Sequence, residues 1–237
     1  MAELSKSRVA RRSTLTAIVA SHPTAASPAP AGPRLRASTI LAAAIWLALV
    51  GSAMVLLATY SNTPGSTTVA PAQWPAESRI AKDPDRPTLV LLAHPHCPCT
   101  RSTLGELEIL MAKNQGRLSA HVVFIRPPEF GEDWARTDLW HTASAIPGVT
   151  VSVDEGGLEA RGFHAETSGQ TLLYDRDGRL LFEGGITASR GHSGDNAGRS
   201  AVTAMLHHEA PAGGKTPVFG CGLFAPDCLA GEMKCTK

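Results

Sequence analysis

The chain has 237 residues with a formal net charge of +1, and 43% of them are hydrophobic and 5% aromatic. The near-neutral balance excludes a strongly basic nucleic-acid binder and an acidic solvating protein. The length leaves room for one ordinary domain with appendages.

Residues 1–38 carry Lys6, Arg8, Arg11, Arg12, Arg34 and Arg36 among Ser, Thr, Ala and Pro, with no apolar periodicity. They read as a flexible tail. Residues 39–60, TILAAAIWLALVGSAMVLLATY, contain no charged side chain and can cross roughly 30 Å of hydrocarbon as a helix. The run is too long and too far from the start for a cleaved signal, and it is apolar on both faces, unlike a half-buried core helix. Basic residues crowd its N-terminal side, which places residues 1–38 in the cytoplasm and everything after Tyr60 outside. The expectation is a single-pass protein of a bacterial inner membrane, with its domain in the periplasm or at the cell surface. Disulfides persist there. All five cysteines, Cys97, Cys99, Cys221, Cys228 and Cys235, lie on that side, and an odd number cannot all pair within one chain.

Residues 61–86, rich in Pro, Ser, Thr and Ala, read as a linker. The domain is expected over residues 87–210, with a cysteine-containing tail at 211–237. PTLVLLAHP, residues 87–95, is an apolar run bounded by prolines and suits a central strand buried on both faces. From Thr100 the apolar residues Leu104, Leu107, Leu110 and Met111 recur at helical spacing, with Gly116 as a stop. SAHVVFIR at 119–126 is a second strand, DLWHTASAI at 138–146 a short helix, and VTVSVDE at 149–155 a third strand. Alternating runs at 171–175 and 179–183 flank Arg176-Asp177-Gly178 and predict a hairpin with an Asp-Gly turn. Residues 196–208 form a last amphipathic helix, with Asp195 or Asn196 as N-cap.

The stretch AHPHCPCT, residues 93–100, falls at the junction of the first strand and first helix. A cysteine at a helix start faces unpaired N–H groups and the positive end of the helix dipole, both of which favour thiolate, the attacking species in disulfide exchange. Cys97 is therefore the leading nucleophile, and Cys99 its partner in a strained, easily reduced C-x-C bond. A permanent surface disulfide is a poor use of so short a loop. Two other readings compete with exchange. His94, His96, Cys97 and Cys99, with His121 on the next strand, supply imidazole and thiolate ligands of the kind that bind Cu(I) or zinc. The third reading is a non-catalytic interaction domain.

The order βαβ, connecting helix, hairpin, helix, with cysteines after the first strand, resembles the thioredoxin fold over residues 87–208. HPHCPCT, together with TSGQTLLYD, GGIT and SRGHSGDN, resembles the bacterial membrane-anchored thioredoxin-like proteins called RedB. The resemblance implies a three-layer α/β/α sandwich behind an N-terminal transmembrane helix. With the cysteine site, the expected activity is thiol–disulfide exchange on protein thiols or disulfides, with no cofactor or metal and with recycling by an upstream redox partner; the charge balance leaves out nucleic acid. The chain departs from the fold's pattern in two places. Its spacing is C-x-C rather than C-x-x-C, and Thr167-Ser168-Gly169-Gln170 stands where the fold keeps a proline before its third core strand. The C-x-x-x-C spacing of copper-handling Sco-like proteins is absent, as is the peroxiredoxin motif.

The same arrangement brings Thr167, Ser168 and Gly169, expected to bind substrate, and the loop 187–198 beside the cysteines. In that loop His192 is the candidate acid or base, and Arg190 a cation that favours thiolate. In the tail, TPVFGCGLF makes Cys221 either a resolving thiol or a buried inert one, and Cys228–Cys235 is a candidate staple.

Overall fold

The computed structural model describes residues 33–211 and 213–224. Most of the expected cytoplasmic tail lies outside the described residues, and so do Cys228 and Cys235.

Helix α1, Pro33–Asn62, extends the expected apolar span at both ends. From Arg36 to Asn62 it is long and apolar enough to cross a membrane, and side chains such as Ile40, Leu47, Met54 and Leu57 are exposed.

After α1 come β1 (Thr88–Ala93), α2 (Pro98–Lys113), β2 (Ser119–Arg126), α3 (Asp138–Ser144), β3 (Val149–Glu155), α4 (Leu158–Gly162), β4 (Gln170–Tyr174), β5 (Leu180–Gly184) and α5 (Ala197–Leu206). The five strands form one sheet in the order β3-β2-β1-β4-β5. β1, β2 and β3 run parallel, while β4 is antiparallel to β1 and to β5. This is the thioredoxin arrangement that the order of predicted elements implied. β1 is central and wholly buried, which is why its sequence is an unbroken apolar run.

Successive residues of β1 point to opposite faces. Leu89, Leu91 and Ala93 pack with α2, α3 and α5 through Leu104, Leu107, Leu139 and Val202. Val90 and Leu92 face the other way, toward Ala160, Phe163, Tyr174 and Leu223. Among the described residues that second layer contains one short helix, and irregular segments complete it. Part of the stretch read as a linker belongs to it: Ala70 and Ile80 are buried, and Trp74 sets its ring edge-on to Phe163 and Tyr174 at 5.2 Å each. Its apolar residues are too few and too irregularly spaced to show a period.

The hairpin turn falls at the expected place, with Gly178 at φ 82° and Asp175 Oδ1 accepting from the N–H groups of Asp177 and Arg179. Helix α4 was not anticipated. A single turn shows no periodicity, and it is held instead by Asp154, whose carboxylate accepts from the N–H groups of Glu159 and Ala160, both at 2.9 Å. Burial pushes the Asp154 carboxyl up.

Candidate functional site

β1 ends at Ala93, and the chain turns through His94 and Pro95 into α2. Cys97 is the N-cap residue of α2, in extended conformation, and Pro98 occupies the first helical turn, where its missing N–H costs nothing. The turn is closed by the Cys97 N–H donating to the His94 carbonyl at 3.1 Å. Cys97 thus stands at the N-terminus of α2, as the spacing predicts.

Three cysteines, Cys97, Cys99 and Cys221, form a buried cluster of thiols. Cys97 Sγ lies 3.0 Å from Cys221 Sγ and accepts from the Cys221 backbone N–H at 3.4 Å. The Cys221 thiol, then the Cys99 thiol, hold Cys97 well below the usual thiol range, with smaller help from the N–H groups of Cys221 and Cys99; burial opposes them and is overcome. Cys99 moves the other way. Its hydrogen bond to Cys97, its burial and the negative charge of Cys97 push it up, against the weaker pull of the Arg190 charge and the Gly191 N–H. The cluster therefore sets a sulfur that favours the thiolate, Cys97, beside one that favours the thiol, Cys99.

Cys221 reaches this position on an extended segment, residues 214–223, that crosses the edge of the fold. It starts beside β5, where Glu183 N–H donates to the Gly214 carbonyl at 3.0 Å and Thr216 N–H to the Glu183 carbonyl at 3.2 Å. It then runs antiparallel to residues 166–168. Ser168 N–H donates to the Cys221 carbonyl and Leu223 N–H to the Glu166 carbonyl, both at 2.8 Å, around a bridge between Thr167 and Gly222. Gly65 N–H donates to the Val218 carbonyl at 2.8 Å from the other side. The approach is so close that a Cβ on Gly220 would stand 1.9 Å from the Ser168 carbonyl oxygen.

Thr167, Ser168 and Gly169 border the cysteine turn. Ser168 Oγ accepts from the His94 N–H at 2.9 Å and shares a hydrogen bond of 2.9 Å with Thr100 Oγ1. Gly169 N–H donates to the Leu92 carbonyl at 2.8 Å. All three residues are buried, and the segment carrying Cys221 covers the backbone edge expected to meet substrate.

In the loop 187–198, the structure brings Arg190 to the cluster and not His192. Arg190 Nη1 donates to the Gly220 carbonyl at 2.5 Å, next to Cys221. His192 is exposed, and its Nδ1 sits 2.9 Å from the Arg190 carbonyl, with no hydrogen bond to a cysteine. Asn196 is the N-cap of α5, accepting from the Arg199 N–H at 2.8 Å. Buried Glu106 of α2 anchors this loop. It accepts from Gly194 N–H at 2.6 Å and Asn196 Nδ2 at 3.0 Å, and pairs with the Arg199 guanidinium. Sequence reasoning missed this Glu106–Arg199 pair, because a charge at a helix position reads as a solvated face.

The histidines do not join the sulfur atoms in a ligand set. His94 Nδ1 accepts from the His96 N–H at 3.1 Å, His96 Nε2 lies 3.0 Å from the Trp134 carbonyl, and His121 is on β2, half-buried. Among the described residues no group of three or more His, Cys, Asp or Glu is arranged to hold a metal ion.

No protein-family model and no curated protein matches the chain. Among solved structures it is similar to a hypothetical protein from Sinorhizobium meliloti 1021, with a TM-score of 0.51 and 20% identity over 68% of this chain and 93% of that one. It is equally similar to an uncharacterized conserved protein from Geobacillus kaustophilus, with a TM-score of 0.51 and 20% identity over 70% of this chain and 94% of that one. A looser likeness is to the pneumococcal exposed lipoprotein thioredoxin of Streptococcus pneumoniae, with a TM-score of 0.38 and 15% identity over 52% of this chain and 84% of that one. Strand order and direction, with cysteines where β1 gives way to α2, give the chain a thioredoxin-like fold.

Proposed function

We propose that the protein is an extracytoplasmic thiol–disulfide oxidoreductase acting on protein thiols and disulfides, with Cys97 as the nucleophile. One observation carries this reading: Cys97 Sγ, at the N-terminus of α2, is surrounded by two thiols and receives a backbone N–H, so the thiolate is its favoured form. Cys99 is its proton-bearing neighbour. A thiolate that attacks a disulfide sulfur forms a mixed disulfide and expels one substrate thiolate, and a second thiol of the cluster then completes the exchange. Departing substrate thiolates and water take up the protons.

The test uses the full chain in detergent with Cys228→Ser and Cys235→Ser, so that only the cluster thiols remain. Mixed with a chromogenic aromatic disulfide, this protein and its Cys99→Ser variant should give a fast burst of aromatic thiolate. The Cys97→Ser variant should give none, and a burst of unchanged rate from that variant would end the assignment.

A further inference from the structure

We propose that Cys221 is the resolving thiol of the site: it attacks the mixed disulfide formed on Cys97 and leaves a Cys97–Cys221 bond. The proposal rests on the exchange reading of Cys97 and assigns its second step. Three observations carry it.

The first is proximity. The two sulfur atoms are 3.0 Å apart, so closing a bond of about 2.05 Å needs a shift of only about 1 Å. The second is that the segment is built to reach this place. Val218, Cys221 and Leu223 are each fixed by a backbone hydrogen bond, and Gly220 admits an approach to Ser168 that no side chain permits. An inert buried cysteine needs none of that. The third concerns the competitor. Cys99 is two residues beyond Cys97, in the first turn of α2, so a Cys97–Cys99 bond closes a small ring against the helix. Cys221 arrives from a separate segment and meets no such ring.

The chemistry balances as follows. The Cys97 thiolate attacks one sulfur of a substrate disulfide; the Cys97–substrate bond forms, the substrate bond breaks, and the first substrate thiolate leaves. Cys221, losing its proton to that thiolate, then attacks Cys97 Sγ, and the second substrate thiolate leaves and is protonated by water. Two electrons pass to the substrate, and the pair ends oxidised. A dithiol reductant on the same side of the membrane returns it to two thiols. Because Cys97 is fully buried and in contact with Cys221, we take the segment 214–223 to lift to admit substrate and return to resolve it. One element therefore both covers the nucleophile and finishes the reaction.

The probe is one equivalent of dithionitrobenzoate, added to the full chain in detergent, again with Cys228→Ser and Cys235→Ser. Attack by Cys97 releases the first nitrothiolate, and resolution releases the second. In Cys221→Ser and in Cys221→Ala the first release should persist, while the second slows by about tenfold or more, a barrier increase of about 1.4 kcal/mol. Peptide mapping after an acid quench should find Cys97–Cys221 in the protein with all three thiols and in Cys99→Ser, and the nitrobenzoate adduct on Cys97 in the Cys221 variants. A second release at the unmodified rate in both Cys221 variants, or Cys97–Cys99 as the first bond formed with all three thiols present, overturns the assignment of Cys221 and leaves Cys97 as nucleophile. A first release that survives Cys97→Ser removes the exchange reading itself, and this proposal with it.

Discussion

At Cys97 the decisive quantity is the balance between hydrogen bonding and burial. Burial alone pushes a thiol up, but the Cys221 and Cys99 thiols act against it and win. The ultraviolet absorbance of the thiolate should therefore persist well below the usual thiol range of about pH 8.5. Removing the first of those donors in Cys221→Ala should move the Cys97 titration upward, because a lost hydrogen bond to the charged form favours the neutral one. A midpoint that stays in place would show that the Cys221 thiol contributes little, leaving Cys99 and the helix N-terminus to set the ionisation. The sign extends to stability. The folded value lies below the unfolded one, so the stabilisation is fully present above about pH 8.5 and is lost as pH falls through the folded value. The position of Cys97 was legible in the sequence, because a strand, a turn and Pro98 occupy consecutive positions. The proximity of Cys221 was not. It depends on a pairing between residues far apart in the chain, and TPVFGCGLF is equally compatible with an inert buried thiol.

Among the elements, the segment 214–223 and the loop 187–198 shape the site more than any helix does. Gly220→Ala would force a methyl into the Ser168 carbonyl, so the segment must seat higher or lift more often. Maleimide labelling of Cys97 should accelerate about tenfold, for a loss of about 1.4 kcal/mol in the closed state. An unchanged rate would mean that the segment does not guard Cys97. Glu106→Ala tests the loop from its anchor. It strands the buried Arg199 guanidinium with only exposed Asp195 as counter-charge, and should cost about 3–5 kcal/mol, read from the denaturant midpoint. Loss of less than about 1 kcal/mol would mean that the pair behaves as a surface one. The strands and the longer helices were legible because their periods are long and regular. Helix α4, held by one carboxylate, and the crossing segment, held by backbone pairing, leave almost no periodic trace.

For the whole molecule, the placement of the cysteines relative to the membrane decides whether the site meets an oxidising or a reducing compartment. A reporter active only outside the cytoplasm should be active when fused after Lys237 and silent when fused before Thr39. The opposite pattern would put the cysteines among cytosolic thiols and defeat the extracytoplasmic reading. The attachment of the domain to α1 matters as much as its side. As a free coil, residues 61–86 would let the domain roam over an r.m.s. distance of roughly 30 Å. Instead, Arg190 N–H donates to the Ser61 carbonyl at 2.9 Å and Arg190 Nε to the Thr63 carbonyl at 3.1 Å, while its guanidinium lies over the Tyr60 ring. The residue that touches the Cys221 segment thus also grips the exit of the helix. In the proposed anchored state, a partner carrying its own membrane anchor would meet the domain at a high effective concentration that one diffusing freely in solution would not have.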